Sequence, residues 1–258
     1  MKLVHANKIG EGSKNIIILH GFLGMGDNWK THAKNWAQNG YCVHLIDQRN
    51  HGKSFWDDQF DYALLSDDLR NYMDHCQIEK AIVLGHSMGG KTAMNFACLH
   101  SSRIEKLIIA DISPKHYESH HHHAILEGLH SMDFTRIKNR LEADTYLSNY
   151  VPESGVRQFL LKNLYWKAQG ELGLRMNINV LSKMGETIGE VLAPGMKFDE
   201  EVLFLSGANS NYITTPDHVL IRQHFPNAHI VEISNAGHWL HAENPIAFSK
   251  QVLAWVDN

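Results

Sequence analysis

Cysteine is scarce in this chain. Its 258 residues hold three, Cys42, Cys76 and Cys98, with no C-x-x-C spacing. That argues against a disulfide framework or a thiolate metal site and predicts small core residues in a reducing compartment. No basic run stands out, and the formal net charge is −4 with neutral histidines, which leaves nucleic acid and anionic membranes without a footprint as partners. Eighteen apolar residues never run together, and Met1–Gly12 lacks an apolar h-region. The reading is a soluble, cytoplasmic chain with no membrane partner. There is no H-E-x-x-H pattern, and neither metal nor cofactor is expected. Histidine, by contrast, is abundant at nineteen, four of them in the run His120–His123. Four adjacent helical residues fan around the axis and cannot converge on one ion, so the run reads as a solvated face.

The most informative stretch is Gly85-His86-Ser87-Met88-Gly89, followed by Gly90. An apolar run, Ala81–Leu84, leads into it, and a helix-compatible stretch, Lys91–His100, follows. Strand, sharp Gly-x-Ser-x-Gly turn and helix together make a nucleophile elbow, with Ser87 as the candidate nucleophile. Side chains two before and two after the serine would collide in such a turn, hence Gly85 and Gly89. The helix N-terminus beneath the hydroxyl favours developing negative charge.

Around this turn the chain alternates strand and helix. Asn15–Leu19, Tyr41–Asp47 and Lys106–Ala110 are apolar runs suited to strands buried on both faces, with helical patterns between them. The alternation resumes with Val202–Leu205, His229–Ile233 and a terminal helix from about Asn244 to Val256. This predicts an α/β fold with a mostly parallel sheet and helices on both faces. Between them the pattern changes, with Phe134–Tyr150 and Gly155–Gln169 helix-like. The predicted organisation is therefore a core of residues 1–113 and 195–258, with 114–194 a mostly helical cap over the sheet's carboxyl edge. Phe134, Phe159, Leu160, Leu164, Tyr165 and Trp166 could line a cavity beneath the cap or form the cap's own core.

A serine hydroxyl must lose its proton to attack a carbonyl. A neutral imidazole can take it, with a carboxylate behind the ring to set the tautomer, in the chain order nucleophile, acid, base. His238, in a loop after the last strand and preceded by Gly237, is the candidate base, with His241 its rival. The loop after Val202–Leu205 reads Gly207-Ala208-Asn209-Ser210-Asn211 and holds no carboxylate. Asp111, ending the strand after the elbow helix, is the preferred acid over Asp217, which sits where a helix start would explain it. Ser210 or Asn209 could hydrogen-bond the acid or the ring. The backbone N–H groups of Phe22 and Met88 are the candidate oxyanion donors. His86, Ser210, Tyr212 and Trp239 are candidates for the substrate pocket.

Five stretches together resemble the α/β-hydrolase superfamily, and more narrowly the bacterial YbfF-type esterases. They are His20-Gly21-Phe22-Leu23-Gly24, Asp47-x-Arg49-Asn50-His51-Gly52-x-Ser54, Gly85–Lys91, Asp111-Ile112-x-Pro114 and Gly237-His238-Trp239-x-His241-x-Glu243. The resemblance covers almost the whole chain and departs most in the cap. It implies a short-chain, small-molecule acyl ester or an acyl-CoA-like thioester as substrate, and an acid at the position of Asp111. Other triad reactions share the scaffold: carbon–carbon bond hydrolysis, perhydrolase or haloperoxidase chemistry, and lyase chemistry. A small-molecule receptor is the non-enzymatic alternative. Dehalogenase and epoxide-hydrolase relatives carry aspartate where Ser87 stands.

Overall fold

The computed structural model describes residues 2–118 and 120–257, without the side chains of His120 and His121. The first half runs β1 (Ala6–Ile9), β2 (Lys14–Leu19), α1 (Lys30–Gln38), β3 (Tyr41–Ile46), α2 (Tyr62–His75), β4 (Ala81–His86), α3 (Met88–Leu99) and β5 (Ile104–Ala110). An insertion follows: α4 (His120–His130), α5 (Arg140–Leu147), α6 (Ser154–Leu161), the hairpin β6 (Leu164–Ala168) and β7 (Glu171–Leu174), α7 (Ile178–Leu181) and α8 (Gly185–Gly189). The chain returns through β8 (Val202–Gly207), α9 (Asp217–His224), β9 (Ala228–Ile233), α10 (Leu240–Glu243) and α11 (Pro245–Val256). No helix among the described residues is long and apolar enough to cross a membrane.

Seven of these strands form one sheet in the order β1-β3-β2-β4-β5-β8-β9, parallel throughout except for β1 against β3. Successive side chains of a strand point to opposite faces, and the strand sequences exploit this. Ile17 and Leu19 of β2 join Val83, Ile109 and Phe204 in a core beneath α2 and α3. Ile16 and Ile18 join Leu84, Ile108, Trp36 and Phe248 in a second core beneath α1 and α11. A third cluster unites insertion residues such as Leu129, Leu147, Leu161 and Leu181 with Phe22 and Leu23 of the loop after β2 and Met88 of α3.

Two elements escape the sequence reading. β1 is a short, half-exposed edge strand without an apolar run. The helix expected over Gly155–Gln169 ends at Leu161, and the chain turns back as the β6–β7 hairpin. Gly170 takes the left-handed φ of +79° in its tip, which glycine tolerates without strain. Trp166 is thereby 57% exposed, belonging neither to a cavity wall nor to a core. Tyr165 lies under the Arg175 guanidinium, 4.6 Å from ring centre to carbon. Cys76 is also exposed, whereas Cys42 is buried as expected.

Candidate active site

Strand register sets the site. In the β4–β5 ladder His86 pairs with Ala110, so the residues that follow, Ser87 and Asp111, emerge side by side at the carboxyl edge. The loops after β2 and β4 flank the point where strand order reverses, where parallel α/β sheets open a crevice.

Ser87 has φ +53° and ψ −119°, a conformation uncommon for a non-glycine residue that costs on the order of 1–3 kcal/mol. Neighbouring structure holds it there. Its N–H donates to the Ala110 carbonyl at 3.0 Å, and its own carbonyl accepts from the N–H groups of Gly90 and Lys91. A Cβ on Gly85 would lie 2.1 Å from the Gly89 carbonyl oxygen, and one on Gly89 2.2 Å from that of Leu19. Only glycine lets backbone approach this closely.

The imidazole of His238 bridges the serine and the acid. Its Nε2 lies 3.1 Å from Ser87 Oγ, and its Nδ1 lies 2.8 Å from Asp111 Oδ2. Asp111 is fully buried, and a buried carboxylate needs its lone pairs satisfied. Oδ1 accepts from the Gly207 N–H at 3.0 Å, and Oδ2 accepts from the hydroxyl of Ser210 as well as from His238. Because the carboxylate can only accept, Nδ1 carries the proton and Nε2 is free to accept from the serine. His238 is fixed from behind too, its carbonyl accepting from His86 Nε2 at 2.8 Å.

Neither rival joins this line. Asp217 pairs with Lys115 Nζ at 2.7 Å and accepts from the Thr214 N–H, tying the start of α9. His241 stacks on Trp29 with ring centres 4.1 Å apart, and burial holds its pKa well below 6.5. Of Ser210 and Asn209, the serine is the one whose side chain reaches the acid.

Phe22 and Met88, which carry the candidate oxyanion amides, are both buried beside Ser87 in the wall of a cavity of about 780 Å³. His86, Ser210, Tyr212 and Trp239 line it as well. However, His86 Nε2 and the Ser210 hydroxyl are engaged by His238 and Asp111, and Tyr212 stacks on the His238 ring. Trp239 packs against Phe159 of α6. From the histidine run, His123 is exposed, but His122 turns to the cavity and packs on Phe22 at 5.3 Å. The solvated-face reading therefore fails for His122, and the side chains of His120 and His121 lie outside the described residues. Among the described residues, no group of three or more His, Cys, Asp or Glu side chains could hold a metal ion.

The family model for the alpha/beta hydrolase fold matches residues 14–129. The sn-1-specific diacylglycerol lipase ABHD11 of Danio rerio is 35% identical over 254 residues, which is 96% of this chain and 80% of that protein. The chain belongs to the α/β-hydrolase family. Esterase YbfF of Escherichia coli K12 is 33% identical to this hydrolase over 94% of the chain and 93% of its own length. A marine microorganism esterase of known structure superposes with a TM-score of 0.95 at 38% identity, covering 99% of this chain and all of that one.

This hydrolase also has a group of site-building residues that sequence reasoning missed. The loop carrying the Phe22 amide is held by two buried histidines. His20 Nδ1 donates to the Gly21 carbonyl at 2.8 Å, and its Nε2 accepts from the Gln48 N–H at 3.1 Å. His51 Nδ1 donates to the Arg49 carbonyl, and its Nε2 accepts from the Leu23 N–H. Each ring donates through one nitrogen and accepts through the other, which only the neutral form can do. In the sequence, both rings lie within stretches that carry the family resemblance, His20–Gly24 and Asp47–Ser54, without a sign of this role.

Burial drives the pKa of His20 down to about 4, and those of His51 and His86 down to about 3. All three stand below the unfolded value near 6.5, so the unfolded chain takes up protons that the folded chain refuses. The stability they contribute is full above pH 6.5 and is lost as pH falls from 6.5 toward 4. Thermal melts should show Tm dropping progressively as pH falls below 6.5. A flat profile down to pH 4 would contradict the neutral, buried assignment.

Proposed function

We propose that this hydrolase cleaves carboxylic esters and acyl thioesters through a covalent acyl-enzyme, with Ser87 as nucleophile, His238 as general base and Asp111 as the orienting acid. Its esterase relatives support ester hydrolysis. The observation that carries the acyl-enzyme reading is the unbroken hydrogen-bonded line from Ser87 Oγ through both His238 nitrogens to Asp111.

In this reading the Ser87 hydroxyl gives its proton to His238 Nε2 as Oγ attacks the substrate carbonyl carbon. The carbonyl oxygen becomes an oxyanion facing the Phe22 and Met88 amides, and the imidazolium is balanced by Asp111. As the tetrahedral intermediate collapses, the bond to the alcohol or thiol leaving group breaks, and His238 returns the proton to that group. A water then repeats the sequence on the acyl-enzyme, giving up a proton to His238, and Ser87 is released with the carboxylic acid. No cofactor enters any step.

Residues 114–194 serve in this reading as a cap. Phe22, Val156, Phe159, Leu160, Ile188 and Trp239 make much of the cavity's apolar wall around Ser87, suited to an acyl chain. Each buried methylene contributes about 0.8 kcal/mol. A panel of p-nitrophenyl esters should therefore show kcat/KM rising roughly tenfold from acetate to butyrate, with butyryl-CoA also hydrolysed. Acetate as the best substrate would reject the apolar wall as the acyl site, and an inert butyryl-CoA would restrict the reading to oxygen esters.

A further inference from the structure

The loop after β8 holds no carboxylate, yet it is built closely around the His238 imidazole. Ser210 donates to Asp111 and accepts from the Tyr212 N–H at 3.2 Å. The next ring along, Tyr212, lies flat on His238, with ring centres 3.7 Å apart and planes 17° from parallel. Tyr117, just before the insertion's first helix, holds that ring in place. Its hydroxyl donates to the Tyr212 carbonyl at 2.6 Å and accepts from the Ser113 N–H, while its own ring stacks on Tyr212 at 5.3 Å.

We propose that Tyr212 is a positioning residue for the reaction, its ring face both fixing the plane of the His238 imidazole and stabilising the imidazolium that forms as Ser87 attacks. An aromatic ring presents a negative face, and a cation stacked on it is stabilised by a factor on the order of five- to thirtyfold. The ring gains this charge as Ser87 gives up its proton, so the contact acts on the transition state of the attack. Burial, and then the Asp111 carboxylate, raise the Tyr212 pKa above its ordinary value, so the ring is a neutral phenol and acts through its face. The His86 ring also lies 4.8 Å from that of His238, and burial keeps it neutral, so it places no competing charge there.

The inference rests on the acyl-enzyme reading above, and the test separates the two. Turnover of p-nitrophenyl butyrate is measured for wild type, Ser87→Ala, Tyr212→Phe and Tyr212→Leu. It is also measured for variants carrying mono-, di- and trifluorophenylalanine at position 212. Tyr212→Phe should stay within about twofold of wild type, whereas Tyr212→Leu should lose roughly tenfold in kcat with KM within about twofold. The fluorinated rings keep the shape and weaken the negative face, so kcat should fall stepwise with each fluorine. Tyr212→Leu at full rate, Tyr212→Phe as damaged as leucine, or fluorinated rings level with phenylalanine would each overturn the role of Tyr212. Should leucine unfold the protein, the fluorine series still decides. Activity surviving in Ser87→Ala would instead overturn the acyl-enzyme reading.

Discussion

Ser87→Ala should lower turnover of p-nitrophenyl butyrate by about 10⁴-fold or more while leaving Tm within a few degrees of wild type. The loss is large because the substitution removes the hydroxyl that lies 3.1 Å from His238 Nε2. The fold should survive because the turn is held by backbone contacts. The N–H of Ser87 to Ala110 and its carbonyl to Gly90 and Lys91 do not involve the side chain. Whatever rate remains reports water attacking substrate held by the cavity and the Phe22 and Met88 amides. Near-wild-type turnover in the alanine variant would remove Ser87 from the chemistry.

Asp111→Asn should be nearly as damaging, about 10⁴-fold in kcat, through the tautomer and not through charge alone. The Gly207 N–H donates to one oxygen of Asp111, so an asparagine here keeps its carbonyl toward Gly207 and turns its NH₂ toward His238 and Ser210. Facing a donor, Nδ1 must give up its proton and accept. Nε2 then carries the hydrogen and can no longer receive one from Ser87. Asp217→Asn makes the control. That carboxylate serves Lys115 and Thr214, so its replacement should cost activity no more than a few-fold. If Asp217→Asn proves the damaging change and Asp111→Asn the mild one, the acid has been misassigned.

What the sequence made legible follows from how local the physics is. An apolar β-branched run followed by Gly-x-Ser-x-Gly encodes both the strand and the tight turn, because the glycines are demanded by backbone contacts within the turn and with the adjacent strand end. The placement of Asp111 was readable because parallel strands bring their carboxyl ends to one edge, where the register puts it beside Ser87. β1 was not readable, since its pairing partner β3 lies more than thirty residues away and its own pattern is half polar. The β6–β7 hairpin was hidden because α6 and β6 are separated by only two residues, so a helical period carried across the gap. Gln169-Gly170 was its available signal. The His20 and His51 cradle was illegible for a different reason. Its meaning depends on which nitrogen of a buried ring donates, and that is set by carbonyls and amides from three separate loops. Lys91 belongs to the same class. It was noted only as part of a motif, but its buried ammonium donates to the carbonyls of Lys115 and Glu190, which bracket the insertion in the sequence.

The most direct test of the central claim is intact-mass and peptide mass spectrometry after treatment with a fluorophosphonate, for wild type and Ser87→Ala side by side. Wild type should carry one stoichiometric adduct, mapped to Ser87 and formed in step with loss of esterase activity, and the alanine variant none. Activity lost with the adduct on another residue, or an alanine variant labelled as readily as wild type, would contradict that claim.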